Sequence, residues 1–222
     1  KVIDYSHAMR HPDPALILNS MTQAFLFERK LCELCTKKSM TRVVRAIDAG
    51  TMRLDSGFHN VMQYLIFELA EGDVRKHLTV IKSFDDAGAL RALHHTCTGL
   101  FQLHNSGIAH QDLKPSNMLH FKDEVWKVAD LGRASSLGHN APHDGFPFAG
   151  DAGYAPPELL YGQGSDDWAP RRFGCDAYLL GSMILFMFTG AGMTAQLVDQ
   201  IDPRLHYTMW GGSYEEVLPY LR

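Results

Sequence analysis

The segment that most constrains this chain is His110-Gln111-Asp112-Leu113-Lys114-Pro115-Ser116-Asn117, with Asp130-Leu131-Gly132 beginning thirteen residues after Asn117. Between them lie two short apolar runs, Met118-Leu119-His120-Phe121 and Val125-Trp126-Lys127-Val128-Ala129, around the polar turn Lys122-Asp123-Glu124. Two such runs about a polar turn read as a β-hairpin. A hairpin here folds Asp130 back beside Asn117, so that the two ends of one segment build one site. Asn117 offers a neutral oxygen and Asp130 a hard carboxylate, both suited to Mg²⁺, which prefers oxygen ligands and keeps several waters. Asp112 can accept the proton of an attacking hydroxyl. Lys114, two residues on, sits on the same side of an extended loop and can neutralise charge developing on a transferring phosphoryl group.

Four polar groups at this spacing resemble the catalytic segment of the protein kinase family. The resemblance extends along the chain. Gly150-Asp151-Ala152-Gly153-Tyr154-Ala155-Pro156-Pro157-Glu158 is similar to the end of a kinase activation segment, and Cys175-Asp176-Ala177-Tyr178-Leu179-Leu180-Gly181 to the start of the large buried helix of the C-terminal lobe. Tyr64 to Asp73 resembles the last strand of the N-terminal lobe and the hinge. The resemblance implies ATP and Mg²⁺ as cofactors. It puts backbone groups of Glu68 and Ala70 against adenine, Leu119 beneath the adenine and Asp73 at the nucleotide edge. It also implies a lysine that holds the α- and β-phosphates, paired with a glutamate on the first helix. Lys1 and Glu28 are the candidates, because Lys1-Val2-Ile3-Asp4 resembles the strand carrying that lysine and an apolar helix face around Leu31 and Cys32 turns Glu28 inward. Their separation of 27 residues is longer than the family leads one to expect.

The implied fold is α+β and two-lobed: a small lobe of strands plus one helix over residues 1–69, and a mostly helical lobe over 70–222, with the hinge at about 68–73. The order of elements agrees. Lys1 to Asp4 reads as a strand fragment, Ser6 to Pro14 as a loop, and Ser20-x-x-Gln23 as a capping box opening a helix to about Cys35. Val43 to Met52 and His59 to Leu69 read as two strands joined by residues 53–57. Asp85-Asp86 precede a helix with Leu90, Leu93, Cys97, Leu100 and Leu103 at helical spacing, closed by Asn105-Ser106-Gly107.

Composition narrows the function further. With 45% hydrophobic and 21% charged residues, the 222-residue chain can bury one or two cores. A formal charge of -4 gives no electrostatic reason to expect nucleic acid or an anionic membrane as partner. The uncharged stretch Ala177 to Gly192 holds only about a dozen strongly apolar residues and is interrupted by Gly, Ser and Thr, too few for a membrane span, and reads as a buried core helix. Four cysteines without a small disulfide-type layout suggest a reducing compartment, hence a cytoplasmic protein. Cys32-x-x-Cys35 lies inside an apolar helical pattern and reads as helix packing. Of the twelve histidines only His110 has a motif around it; His94, His95 and His104 read as surface or packing residues.

Departures from the family pattern carry expectations of their own. No glycine-rich loop is present, so the chain reads as a fragment incomplete at both ends and of low activity alone. Gln111 stands where many kinases carry an arginine that clamps an activation-loop phosphate. Residues 137–150 contain no Ser, Thr or Tyr to receive one, and Ser135 and Ser136 sit early for that role. The chain therefore reads as a kinase not switched by phosphorylation of that loop. Asp151 stands where serine/threonine kinases usually have threonine; it could pair with Lys114 or bind positive charge on a substrate. Lys114-Pro115-Ser116-Asn117 resembles the serine/threonine branch, which implies a protein substrate. A pseudokinase scaffold and a small-molecule kinase of related fold are the alternatives. Retained Asp112, Asn117 and Asp130 speak against the first, and the peptide-docking segment 150–158 against the second.

Overall fold

A computed structural model describes residues 1–53, 61–81 and 85–221. Its elements in chain order are α1 (Pro14–Lys37), β1 (Ala46–Arg53), β2 (Val61–Phe67), β3 (Gly72–Asp73), α2 (Val74–Ile81), α3 (Asp86–His104), β4 (Ile108–Ala109), β5 (Met118–Phe121), β6 (Val125–Val128), β7 (Ser135–Ser136), α4 (Pro157–Leu160), α5 (Trp168–Thr189), α6 (Met193–Gln200) and α7 (Tyr214–Val217). The architecture is α+β and two-lobed, strands with one long helix first and a helical lobe after.

In the small lobe β1 and β2 pair antiparallel from Ala46↔Phe67 to Arg53↔Val61, and the backbone of Lys1 to Ile3 adds to the free edge of β2. The strand reading of residues 1–4 reduces to one isolated bridge, Val2 with Tyr64. Residues 6–14 are not a plain loop: Tyr5–Arg10 is a 3-10 helix capped by Asp4. Nor does α1 begin at Ser20. It starts at Pro14, where Asp13 accepts a hydrogen bond from Leu16 N–H at 3.1 Å and proline sits preorganised at the first helical position. The longer helix and the 3-10 turn take up the 27 residues between Lys1 and Glu28. Val43 and Val44 do not belong to β1 either. Val44 N–H donates to Val128 O at 2.8 Å, so this stretch docks on β6 across the lobes. The expected connection at 53–57 lies outside the described residues beyond Arg53, as does the start of the second strand at His59.

The helical lobe forms around α3, α5 and the hairpin β5–β6, whose register runs from Met118↔Val128 to Phe121↔Val125. Trp126, Leu113, Met118, Leu179 and Met183 are among its largest fully buried side chains. Asp85 caps α3 as the sequence suggests, but the buried face is Ala89, Ala92, Leu93, Thr96, Gly99, Leu100 and Leu103. Leu90 and Cys97 are exposed. Close approach decides the matter: a Cβ at Gly99 would lie 2.6 Å from Arg42 O and 2.9 Å from Val128, so only the small-residue face fits against the backbone there. A second buried cluster joins Leu31, Cys32, Cys35 and Val43 to Leu103, Ile108, Leu131 and Ala134, packing α1 onto the loop beyond Asp130. Burial pushes the Cys32 and Cys35 thiols up to about 12, consistent with packing residues rather than reactive ones. Among the described residues no single helix is long and apolar enough to cross a membrane; α5 and α6 together pass only as a pair bent by 79°, and α5 lines the core.

Candidate active site

The catalytic segment is held from within. Leu113 is fully buried in the helical core, so burying one leucine, about 1.5–3 kcal/mol, pins the stretch between Asp112 and Lys114. His110 is also fully buried. Its Nε2 bonds Ala129 O at 2.9 Å and its Nδ1 accepts Asp112 N–H at 3.2 Å, which puts a ring proton on Nε2. Behind the loop, Asp176 of α5 accepts the N–H groups of His110 at 2.8 Å and Gln111 at 2.6 Å and meets His104 Nε2 at 2.8 Å. Asp176 has no exposed surface. Gln111 takes a left-handed backbone, φ 61°, which costs a residue with a Cβ of order 1 kcal/mol and is held by these bonds.

The carboxylate of Asp112 is fixed on both oxygens. Oδ1 accepts Asp151 N–H at 3.1 Å, while Oδ2 accepts Asn117 Nδ2 at 3.1 Å and meets Lys114 Nζ at 3.2 Å. Asn117 Nδ2 also donates to Asp112 O at 2.7 Å, leaving the amide oxygen for another partner. The hairpin does return Asp130: Ala129 N–H donates to Asn117 O at 2.9 Å. Asp130 is itself left-handed, φ 63°, and its Oδ1 accepts Gly132 N–H at 3.2 Å.

Lys1 completes the site. Its Nζ lies 2.8 and 2.9 Å from the two oxygens of Glu28 and 2.8 Å from Asp130 Oδ1. Burial pulls the Lys1 ammonium down, but Glu28 and Asp130 outweigh it and the net shift is upward, keeping the lysine charged. Glu28, almost wholly buried on α1, is pushed up by burial despite Lys1. Asp130 feels the same burial, but Lys1 and the Gly132 N–H hold its carboxyl below the usual range.

At the hinge, Glu71 N–H donates to His120 O at 2.8 Å, and β3 pairs Gly72 with His120 and Asp73 with Leu119. Leu119 and Ala70 pack on one apolar cluster with Val44, Phe121 and Ala129. Asp73 spends one oxygen capping α2, accepting Lys76 N–H at 2.9 Å. The Glu68 side chain is engaged within the protein: both oxygens meet Lys127 Nζ at 2.7 Å and one accepts Arg45 N–H. Its N–H donates to Arg45 O at 3.1 Å, which leaves the backbone carbonyl to meet a ligand. Asp151 Oδ2 lies 3.5 Å from Lys114 Nζ, within reach of an ion pair. Ser135 and Ser136 are buried in β7.

The residues that sequence reasoning missed are Asp176, Arg172 and Asp144, which brace the catalytic loop from α5 and the activation segment. Asp176 carried a signal, being the one acid entering a long apolar run, and Arg172 precedes it by one turn. Nothing local marks Asp144. Among the described residues no three His, Cys, Asp or Glu side chains gather for a metal. Asn117 and Asp130 together still fit Mg²⁺, which needs only one or two protein oxygens beside phosphate and water.

Compared with known proteins, residues 8–207 match the family described as protein kinase domain. A relative of known function is the calcium/calmodulin-dependent protein kinase type II subunit delta of Oryctolagus cuniculus, 30% identical over 150 residues, or 64% of this chain. The matched stretch spans 26% of that relative's length. Since the family match runs through nearly all of the chain and takes in the catalytic loop, the hairpin and Asp130, the chain belongs to the protein kinase family.

Proposed function

We propose that this chain is the catalytic part of a serine/threonine protein kinase, transferring the γ-phosphoryl group of ATP to a hydroxyl on a protein. The observation that carries it is Lys1 Nζ within 2.9 Å of both Glu28 and Asp130, while Asp112 and Asn117 share a hydrogen bond on the loop before the hairpin that leads to Asp130. A nucleotide would lie between residues 1–69 and 70–222, its adenine against the backbone of Glu68 and Ala70 above Leu119, with Asp73 near the ribose. Mg²⁺ bound there with ATP would neutralise charge on the phosphates. Asn117 and Asp130 would hold it. Lys1, fixed by Glu28, would hold the α- and β-phosphate oxygens. Asp112, aimed by Asn117, Lys114 and the Asp151 N–H, would orient the attacking hydroxyl and take its proton, and Lys114 would swing from Asp151 toward the γ-phosphate as charge moves. The serine/threonine preference rests on Lys114-Pro115-Ser116-Asn117 and on the relative's kind.

The test is Mg²⁺-dependent transfer from labelled ATP to generic Ser/Thr substrates by the longest natural form of the protein. Asp112→Ala should lower kcat by roughly 10²–10⁴ with nucleotide affinity kept. Transfer unchanged by that substitution would contradict the reading.

A further inference from the structure

A buried cationic clamp ties α5 to the catalytic loop. Arg172, in the second turn of α5, is almost wholly buried. Its Nη1 donates to Gln111 Oε1 at 2.5 Å, and its Nη2 donates to Asp144 at both the backbone oxygen and Oδ1, each at 3.1 Å. Gln111 turns its amide nitrogen to Ser135 Oγ at 2.5 Å, and Ser135 in turn donates to Asp144 Oδ1 at 2.5 Å. The other Asp144 oxygen accepts Ala141 N–H at 2.8 Å and so shapes the activation segment itself. The four side chains close a ring.

Charge and chemistry decide what the ring does. A guanidinium buried this far needs an anion, and Asp144 supplies one to Nη2 while Nη1 of the planar cation reaches Gln111. Asp176 is one turn along the same helix, but its oxygens are committed to His104 and to the N–H groups of His110 and Gln111. Asp144 comes from the stretch 137–150, which carries no hydroxyl that could be phosphorylated. The side chain next to the proton acceptor Asp112 is thus tied through Arg172 to a carboxylate fixed in the sequence. Building on the kinase reading, we propose that Arg172 and Asp144 are positioning residues that lock the activation segment to the catalytic loop, and that Asp144 serves as its permanent anion.

The experiment uses the longest natural form of the protein with Asp144→Asn, Arg172→Gln and the double variant. Each is read by steady-state kinetics and by amide hydrogen exchange over residues 137–150. Each single variant should lose about 10- to 100-fold in kcat with KM for ATP unchanged, as a misplaced base would. Exchange over 137–150 should speed up in both. The double variant should be no worse than the worse single, because both break one ring. Losses that multiply in the double, a loss expressed in KM for ATP, or unchanged exchange would each overturn the proposal. Should Arg172→Gln fail to fold, Asp144→Asn decides, being isosteric and at a partly exposed position. A wild-type protein that transfers no phosphate would overturn the kinase reading instead, and the exchange comparison would still judge the clamp.

Discussion

Two charged clusters flank the catalytic loop, and they are built to opposite rules. In front, Lys1, Glu28 and Asp130 meet at 2.8 to 2.9 Å with Lys1 and Asp130 open to solvent. Behind, Asp176, Arg172, Gln111 and Ser135 are buried and closed on one another through hydrogen bonds, with Asp144 at the edge. On the proposed reading the front cluster exchanges partners: Lys1 would leave Asp130 for a phosphate, and Asp130 would leave Lys1 for a metal. The rear one cannot, since each bond broken there strands a buried polar group. The proposed phosphoryl transfer would use both kinds, groups that rearrange around the nucleotide and a base that stays in place while they do.

Breaking the front cluster should give the largest effect on activity and a small one on stability. Lys1→Met should reduce kcat/KM for ATP by about 10²–10³, the scale of losing one preorganised charge, as read by steady-state kinetics. Its stability should also acquire a pH signature. Burial already raises Glu28 above its ordinary 4.5, and without Lys1 the rise grows. A carboxyl raised in the folded state contributes fully below its unfolded value and loses that contribution as pH rises through the folded one. Melting of Lys1→Met should therefore fall relative to wild type as pH climbs from about 4.5 toward neutrality. A difference that is flat with pH would contradict this reading of Glu28.

Breaking the rear cluster should cost more stability. Asp176→Ala leaves the N–H groups of His110 and Gln111 without acceptors inside the core, which should cost about 2–5 kcal/mol in denaturant unfolding. Equal stability would mean the rear bonds are ornamental. A smaller effect is expected at the seam between the clusters. A Cβ at Gly150 would collide with Gln111 O and stand 3.0 Å from Asp112 Oδ1. Gly150→Ala should lower kcat about tenfold with little change in ATP affinity, the mark of a base moved rather than a pocket lost.

The front cluster was largely legible in the sequence and the rear one largely was not. Asp112, Lys114, Asn117 and Asp130 lie on one segment whose apolar runs and polar turn bring Asp130 back beside Asn117, and the inward turn of Glu28 follows from a helical face, while its pairing with a lysine comes from the family resemblance. Lys1 could be placed only through the family, since nothing local ties residue 1 to residue 28. The Arg172–Asp144 ring joins α5 to a loop without periodicity, 28 residues apart, and such a pair leaves no pattern to read. The fold misreadings share a cause. The start of α1, the docking of Val43 and Val44 on β6, and the buried face of α3 were each decided by a competing local cap or by close packing of backbone from another element.

Amide hydrogen exchange with and without Mg²⁺ and a non-hydrolysable ATP analogue tests the two-cluster account most directly. New protection is expected at residues 1–4, around Glu28, at the hinge 68–73 and at 128–132, while 108–113 and 141–150 are already protected in the free protein and stay as they are. Protection that arises first in 141–150 on nucleotide binding, with the segments around Lys1, Glu28 and Asp130 unmoved, would contradict it.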